Sequence, residues 1–352
     1  MKAGILTFHD ADNYGAVLQA WALQQTLKKL GVQSEFISVE APAPKASPPA
    51  ASRGAALFEE HMREEREKRA SLFKQFRRSH LICSPVYAKD ELKKTDKEYD
   101  LFIAGSDQIW NYRIPGADER FFLPFAAPEK RFSYAASFGM EELPERVKPW
   151  CADRLRRFAG ISVREESGRR IVYELTGRDA AVSLDPTLLL SQADWETMIC
   201  PTEKDRYLLL FMLKFDGALA AGAREAAEKS GFELKTVTAA YMPQCGFACW
   251  NEVGVEDWIG LIAGASGVYT NSFHCTALSL LFGKSVSVAG LQGELSGRNG
   301  RIEELLKLAG CESTLNGSLC FPGEGVFEDR IRRIKENSLQ YLKDIINNAG
   351  SL

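Results

Sequence analysis

No apolar run in this sequence is long enough to cross a membrane. The longest, such as YLLLFML at 207–213, have the length of a strand and fall far short of the roughly 20 residues a spanning helix needs. The opening MKAGILTFHD does not read as a signal peptide, because its apolar run ends at Phe8 and no small-residue cleavage site follows. Charge of one sign is also missing. A formal net charge of −3 argues against a general nucleic-acid binder and leaves room only for a local basic cleft. Cysteine forms no paired framework: eight residues, at 83, 151, 200, 245, 249, 275, 311 and 320, are scattered and expected to be free thiols. The one close pair, Cys245 and Cys249, has no second pair or nearby histidine, so zinc is not expected there. No acidic cluster with metal-ligand spacing occurs either, and no bound metal or cofactor is expected. These features together point to a cytosolic protein. Histidine is scarce, with only four in the chain, which makes the position of each one informative.

What is present is ordinary material for a folded α/β protein: 45% hydrophobic and 26% charged residues over 352 positions, enough for two domains of about 150 residues each. The first half alternates. KAGILTF reads as a strand, GAVLQAWALQQTLKKLG as an amphipathic helix ending at Gly31, and SEFISV as a second strand. A Pro/Ala/Ser-rich loop at 41–52 precedes a charged helix at 57–80, expected to be solvated on one face and docked through Leu72, Phe73 and Phe76 on the other. Strands are expected again at 100–107, 131–138 and 160–165, then a helix around 167–176 leading to AAVSLDPT. The second half repeats the pattern from RYLLLFML onward and ends in a long helix at 327–349. Two βα-alternating halves, 1–188 and 189–352, imply two parallel-sheet domains facing each other across a cleft. Pro186 and Pro201 mark the expected hinge between them.

Four polar clusters fall where a strand turns into a helix, the place where parallel sheets gather ligands. In FHDADNYGA, Asn13, Tyr14 and Gly15 open a helix whose start can hold an anion, without the glycines of a dinucleotide fingerprint. His9 beside Asp10 can be a base or a structural residue. In AGSDQIWN, Gly105 and Ser106 make a sharp turn, and Asp107 can cap a helix or accept a substrate hydroxyl. Arg164 in SVREES can form a structural salt bridge or offer its fork to phosphate or carboxylate. In NSFHCTA, Ser272 and His274 sit at a helix start. Cys275 does not make a dyad with His274, because adjacent helical side chains point about 100° apart. No G-x-S-x-G elbow supports a serine hydrolase.

Taken in order, ILTFHDADNYGAVLQAWALQ, YDLFIAGSDQIWN, ISVREES, VSLDPTLLL and YTNSFHCTALSLLFGKSV resemble the polysaccharide pyruvyl transferase family from residue 5 to about residue 286. The resemblance implies two Rossmann-like domains in a GT-B-like arrangement, with the terminal helix crossing back to the first domain. It also implies transfer of a pyruvyl group from phosphoenolpyruvate to saccharide hydroxyls, commonly as a cyclic ketal, in surface polysaccharide biosynthesis. By motif match, Arg164 corresponds to a family arginine tied to donor binding and His274 to the family's essential histidine. Phe273 precedes His274 where several members carry a basic or different residue. The implied partners are phosphoenolpyruvate and a saccharide or lipid-linked glycan acceptor, with peripheral membrane contact left open. The same architecture admits two rivals, a sugar-nucleotide glycosyltransferase and a non-catalytic glycan-binding protein.

Overall fold

Leu101–Ala104 and Tyr207–Met212 are buried along their whole length, as strands covered by helices on both sheet faces must be. Each becomes an inner strand of a parallel sheet. The computed structural model describes residues 1–40, 53–114, 118–199, 206–239, 249–250, 252–291, 299–311, 319–323 and 325–350. The first half comprises β1 (Lys2–Leu6), α1 (Tyr14–Lys29), β2 (Gln33–Val39), α2 (Arg53–His80), β3 (Cys83–Tyr87), β4 (Leu101–Ala104), β5 (Arg131–Ser133), α3 (Lys148–Leu155), β6 (Ser162–Val163), α4 (Glu166–Thr176) and β7 (Ala181–Val182). The second comprises α5 (Gln192–Glu196), β8 (Tyr207–Met212), α6 (Gly217–Ser230), β9 (Glu233–Thr238), β10 (Cys249–Trp250), α7 (Val255–Gly264), β11 (Gly267–Thr270), α8 (Phe273–Leu281), β12 (Ser285–Val288), α9 (Asn299–Ala309) and α10 (Val326–Gly350).

The first sheet has the order β3-β2-β1-β4-β5, and the β6–β7 pair extends it through single bridges at Phe132–Gly160 and Ala136–Val163. The second has the order β10-β9-β8-β11-β12, and all strand pairs in both sheets are parallel. In each sheet the winding direction reverses beside its first strand, between β1 and β4 and between β8 and β11. Loops leaving the carboxyl ends of such strand pairs diverge and leave a crevice. The two crevices open onto one cleft, lined by Asn13–Ala16 and Asp107 from the first half and Asn271–His274 from the second.

The halves share an apolar core. Val17, Leu18 and Trp21 of α1, Leu188–Leu190, Trp195 of α5 and Cys275, Leu278 and Leu281 of α8 belong to one buried cluster, which also takes in Leu209 and Phe211 of β8. The expected hinge is therefore not a plain linker. Residues 188–190 are buried in the shared core, Trp195 packs on Trp21 with ring centroids 4.9 Å apart, and Pro201 lies outside the described residues. Tyr14 adds a polar stitch. Its ring stacks on Trp258 of α7 at 4.7 Å and its hydroxyl donates to the Val253 carbonyl at 2.8 Å. α2 buries Phe73 and Phe76, keeps Leu72 half-buried, and reaches the second half through a Lys68–Glu252 ion pair and a His80–Glu256 hydrogen bond. α10 returns to the first half, where Ser338 Oγ accepts from Leu184 N and Tyr341 donates to the Ser133 carbonyl, both at 3.0 Å.

Several elements differ from the pattern read in the sequence. The strand expected at 160–165 is formally only Ser162–Val163, and that at 131–138 only Arg131–Ser133, beyond which pairing continues through single bridges of Ala136 to Asp107 and Val163. β3, α3, α5 and β10 have no strong periodicity and were not anticipated. The loop 41–52 and Cys245 of the close cysteine pair lie outside the described residues. Among the described residues, no helix is long and apolar enough to cross a membrane.

Candidate active site

α8 begins at Phe273 because Ser272 caps it: the Ser272 hydroxyl accepts from Cys275 N at 3.4 Å. His274 therefore lies in the first helical turn. α1 begins in the same way, with the Asn13 side chain accepting from Ala16 N at 3.1 Å. Both helix starts face the cleft, so the unpaired N–H groups and positive dipole ends of two helices converge on it. The two caps, Asn13 and Ser272, thus organise an anion-friendly wall.

The contact between the two helices is intimate. A β-carbon built on Gly15 would lie 2.0 Å from Nδ1 of His274, far inside contact distance. Gly15 therefore serves less as a flexible residue than as the recess that accepts the imidazole. On its other side, His274 Nε2 lies 3.4 Å from Oδ2 of Asp185, close enough for charge attraction but without hydrogen-bond alignment. Cys275 behind it is fully buried, and burial pushes its thiol up to about 12, which removes it as a nucleophile near neutral pH.

Asp185 is the hub. It ends the strand-like run after β7, and its Oδ1 accepts from the backbone N and the hydroxyl of Thr187 at 3.0 and 2.8 Å. Its Oδ2 accepts from Arg164 Nη1 at 2.8 Å. Burial alone would raise its pKa, but the coulombic effect of His274, then the charge and hydrogen bond of Arg164, outweigh it and hold the carboxyl well below the usual carboxylate range. The Arg164 side chain is only 2% exposed. Its second amino group faces Asp107 Oδ1 at 3.4 Å, and its Nε lies 3.7 Å from Glu165 Oε2. Burial opposes its charge, yet Asp185, Asp107 and Glu165 outweigh that and raise its pKa further. The fork expected to reach outward for a donor is committed inward to carboxylates.

Asp107 caps no regular helix. It adopts a left-handed φ of +72°, which turns its carboxylate toward Arg164 at the cleft wall. Burial would lift its pKa, but Arg164, His274 and Arg301 hold it down. Gly105 makes the preceding turn possible, at φ +118°, where an added β-carbon would meet the Tyr134 carbonyl at 2.3 Å. Ser106 is fully buried. Its N donates to Gln19, its hydroxyl to the Ala135 carbonyl, and it lies behind Asp185 rather than in the cleft. Tyr14 borders the cleft, with its hydroxyl spent on Val253 and its pKa pushed up to about 12 by burial.

His9 stands apart from this group. It stacks on Phe36 at 4.9 Å, its Nδ1 lies 3.1 Å from the Thr7 carbonyl, and burial lowers its pKa. It does not line the cleft. Sequence reasoning passed over Asp185, Arg301 and Arg113. Asp185 carried a usable signal, since an acid directly after a buried strand obeys the same positional rule as Asp107. Arg301 carried none, because it sits on an ordinary amphipathic helix, α9, and only the fold brings it to the cleft. The cleft, about 380 Å³, thus collects Arg113, Arg301, His274 and two helix starts against one carboxylate, Asp107. Among the described residues, no three His, Cys, Asp or Glu side chains gather where they could hold a metal ion.

Two parallel-sheet halves with facing crevices define an α/β protein of two Rossmann-like domains in the GT-B-like arrangement, with a cationic, histidine-bearing cleft at the junction. The chain belongs to the polysaccharide pyruvyl transferase family, whose model matches residues 13–288. No curated protein matches it in sequence. Solved structures resemble it at low identity. HepE from Anabaena, solved with UDP and glucose, is similar with a TM-score of 0.51 and 11% identity over 99% of both chains. MnaA from S. aureus, solved with UDP, gives 0.51 and 9% identity over 98% of this chain and 87% of that one. The UDP-GlcNAc 2-epimerase from Neisseria meningitidis, bound to UDP-GlcNAc, gives 0.48 and 11% identity over 96% of this chain and all of the other. The likenesses to HepE and MnaA are of fold alone.

Proposed function

We propose that the protein transfers the pyruvyl group of phosphoenolpyruvate to two hydroxyls of a saccharide, forming a ketal on a precursor of a surface polysaccharide, and that it needs no cofactor. The observation that carries this reading is the pairing of His274 with Asp185 between two helix starts in a cationic cleft. Phosphoenolpyruvate brings a phosphate and a carboxylate, which suit Arg301, Arg113 and the free N–H groups of α1 and α8. The reaction balances without redox chemistry. The methylene carbon gains a proton, the central carbon forms bonds to two sugar oxygens, and its bond to the phosphate oxygen breaks. Of the two hydroxyl protons released, one replaces the proton given to the methylene and the other leaves with phosphate.

His274 is the group suited to move that proton, since an imidazole can both accept and donate one and the Asp185 carboxylate holds its place 3.4 Å from Nε2. Arg164 acts from behind. It fixes Asp185, and through it the ring, and adds positive potential where phosphate charge develops. The cytosol is the compartment that supplies such a donor. Phosphoenolpyruvate at 100 times its dissociation constant should stabilise the protein by about 2.7 kcal/mol, while UDP-glucose should not. His274→Ala should keep the fold and lose about 10²–10⁴-fold in acceptor-dependent phosphate release. Stabilisation by UDP-glucose alone would point instead to a glycosyltransferase, and none by either ligand to a glycan-binding protein.

A further inference from the structure

Two of the cysteines meet far along the chain from the cleft residues of the first half. α9 stops at Ala309 because Gly310 follows it with a left-handed φ of +68°. Gly310 N donates to the Lys307 carbonyl at 3.0 Å, and Cys311 N to the Leu306 carbonyl at 2.8 Å. This double-bonded helix end fixes the backbone of Cys311. Cys320, nine positions on, is fixed by a different element. It forms an antiparallel bridge with Val286 of β12, accepting from Val286 N at 2.9 Å and donating to the Val286 carbonyl at 3.0 Å. Between these two anchors the thiols touch, with Cys311 Sγ 2.8 Å from Cys320 Sγ.

A disulfide bond is about 2.05 Å long, so the sulfurs would have to approach by less than an ångström. Neither backbone anchor needs to open for that. The surroundings of the two thiols differ. Cys311 is fully buried in the core that also holds Leu305, Leu306 and Phe327. Cys320 is half-buried at the edge of that core, next to the exposed Phe321. A solute therefore arrives from the Cys320 side, with Cys311 behind it as the resolving thiol. That is the order thiol–disulfide exchange requires.

We propose that Cys311 and Cys320 form a reversible dithiol–disulfide pair that fastens the end of α9 to β12 when the surroundings turn oxidising. The oxidant is a small-molecule disulfide. The Cys320 thiolate attacks one of its sulfurs and expels the other as a thiol, and the Cys311 sulfur then attacks Cys320 Sγ and expels the second. Two S–H bonds are lost and one S–S bond forms, while two electrons and two protons leave in the two small thiols. In a reducing compartment the pair rests as thiols and the bond is transient. The elements it joins both lead to the cleft, since α9 carries Arg301 and β12 follows α8, which carries His274. The pair is independent of what the cleft binds.

The test uses the full chain, incubated folded with mixtures of reduced and oxidised glutathione, blocked with iodoacetamide and cut with trypsin. Cleavage after Lys307 and Arg330 leaves both cysteines in one peptide, 308–330. In the oxidised protein that peptide should be unalkylated and lighter than its reduced form by two hydrogens. Folding should favour the bond by about 100-fold, the factor that corresponds to the stabilisation expected from a loop of this size, so the same mixtures in concentrated urea should yield far less of it. The oxidised protein should melt about 5 °C above the reduced one. Cys320→Ser should melt as the reduced wild type does and show no rise on oxidation. Alkylation of both cysteines at every glutathione ratio, glutathione adducts in place of the internal bond, or equal linkage in urea would overturn the proposal. So would a linked protein that melts like the reduced one, or a rise that survives in Cys320→Ser.

Discussion

Replacing Gly15 by alanine tests the geometry of the site through one methyl group. In most helices the change is favourable by up to about 1 kcal/mol, because glycine carries the larger entropy cost. Here the new carbon would sit 2.0 Å from Nδ1 and 2.6 Å from Cγ and Cε1 of His274, where ordinary contact begins near 3.4 Å. The ring, or the start of α1, must retreat by more than an ångström. Asp185 stands on the far side of the imidazole and α8 is buried throughout, so little space exists to absorb the movement. Overpacking of this kind costs about 1–3 kcal/mol, which reverses the usual sign of the substitution. A displacement near 1 Å at a reacting group also costs roughly 10²-fold in rate. Urea denaturation of wild type, Gly15→Ala, His274→Ala and the double variant isolates the contact as a double-mutant cycle. Gly15→Ala should destabilise the wild type yet stabilise the His274→Ala background, where the recess is empty. The same effect in both backgrounds, or full turnover in Gly15→Ala, would refute the idea that Gly15 exists to seat the ring.

Arg164→Lys retains the charge but cannot span Asp185 and Asp107, so it should cost about 1.5–3 kcal/mol, one charge-assisted hydrogen bond, along with activity. An unchanged urea midpoint would mean that only the charge matters. Asp185→Asn leaves the buried Arg164 guanidinium without its nearest carboxylate and should cost about 3–5 kcal/mol near neutral pH. The wild-type Asp185 pKa is depressed in the fold, so its contribution is complete above the unfolded value near 3.9 and fades as pH falls below it. Acid titration of stability should therefore be steeper in the wild type than in Asp185→Asn, and equal slopes would contradict the coupling. His9→Phe should preserve turnover, since His9 packs on Phe36 away from the cleft; a large loss of phosphate release in a well-folded variant would return His9 to the mechanism.

Much of the architecture is legible in the chain because apolar periodicity records which faces are covered. The buried runs at 101–104 and 207–212 and the alternation around them are enough to expect parallel sheets, and the strand-to-helix junctions mark where polar side chains collect. What the pattern could not carry is direction. Whether Arg164 reaches outward or inward depends on Asp185, twenty-one positions away and brought beside it by pairing of β6 with β7. The short elements escaped for a related reason: β6 and β7 are two residues each, held by single bridges and a serine network in which Ser162 Oγ donates to Ser183 Oγ, too brief to leave a period. Gly15 was legible as a helix-opening glycine, but its function depends on a ring contributed by residue 274.

The apolar seam between α1 and α8 has a consequence for how such proteins can diversify. Where two lobes meet through water and a slender connector, each can be traded among relatives, pairing one donor lobe with many acceptor lobes. Here a graft at residue 188 would cut through a packed interior, because Leu188–Leu190 and the Tyr14–Trp258 stack need matched surfaces on both sides. Chimeras that exchange whole lobes should misfold unless the α1 and α8 faces travel together. Changes in acceptor preference are then expected to arise residue by residue around the cleft, with the two lobes inherited as a unit.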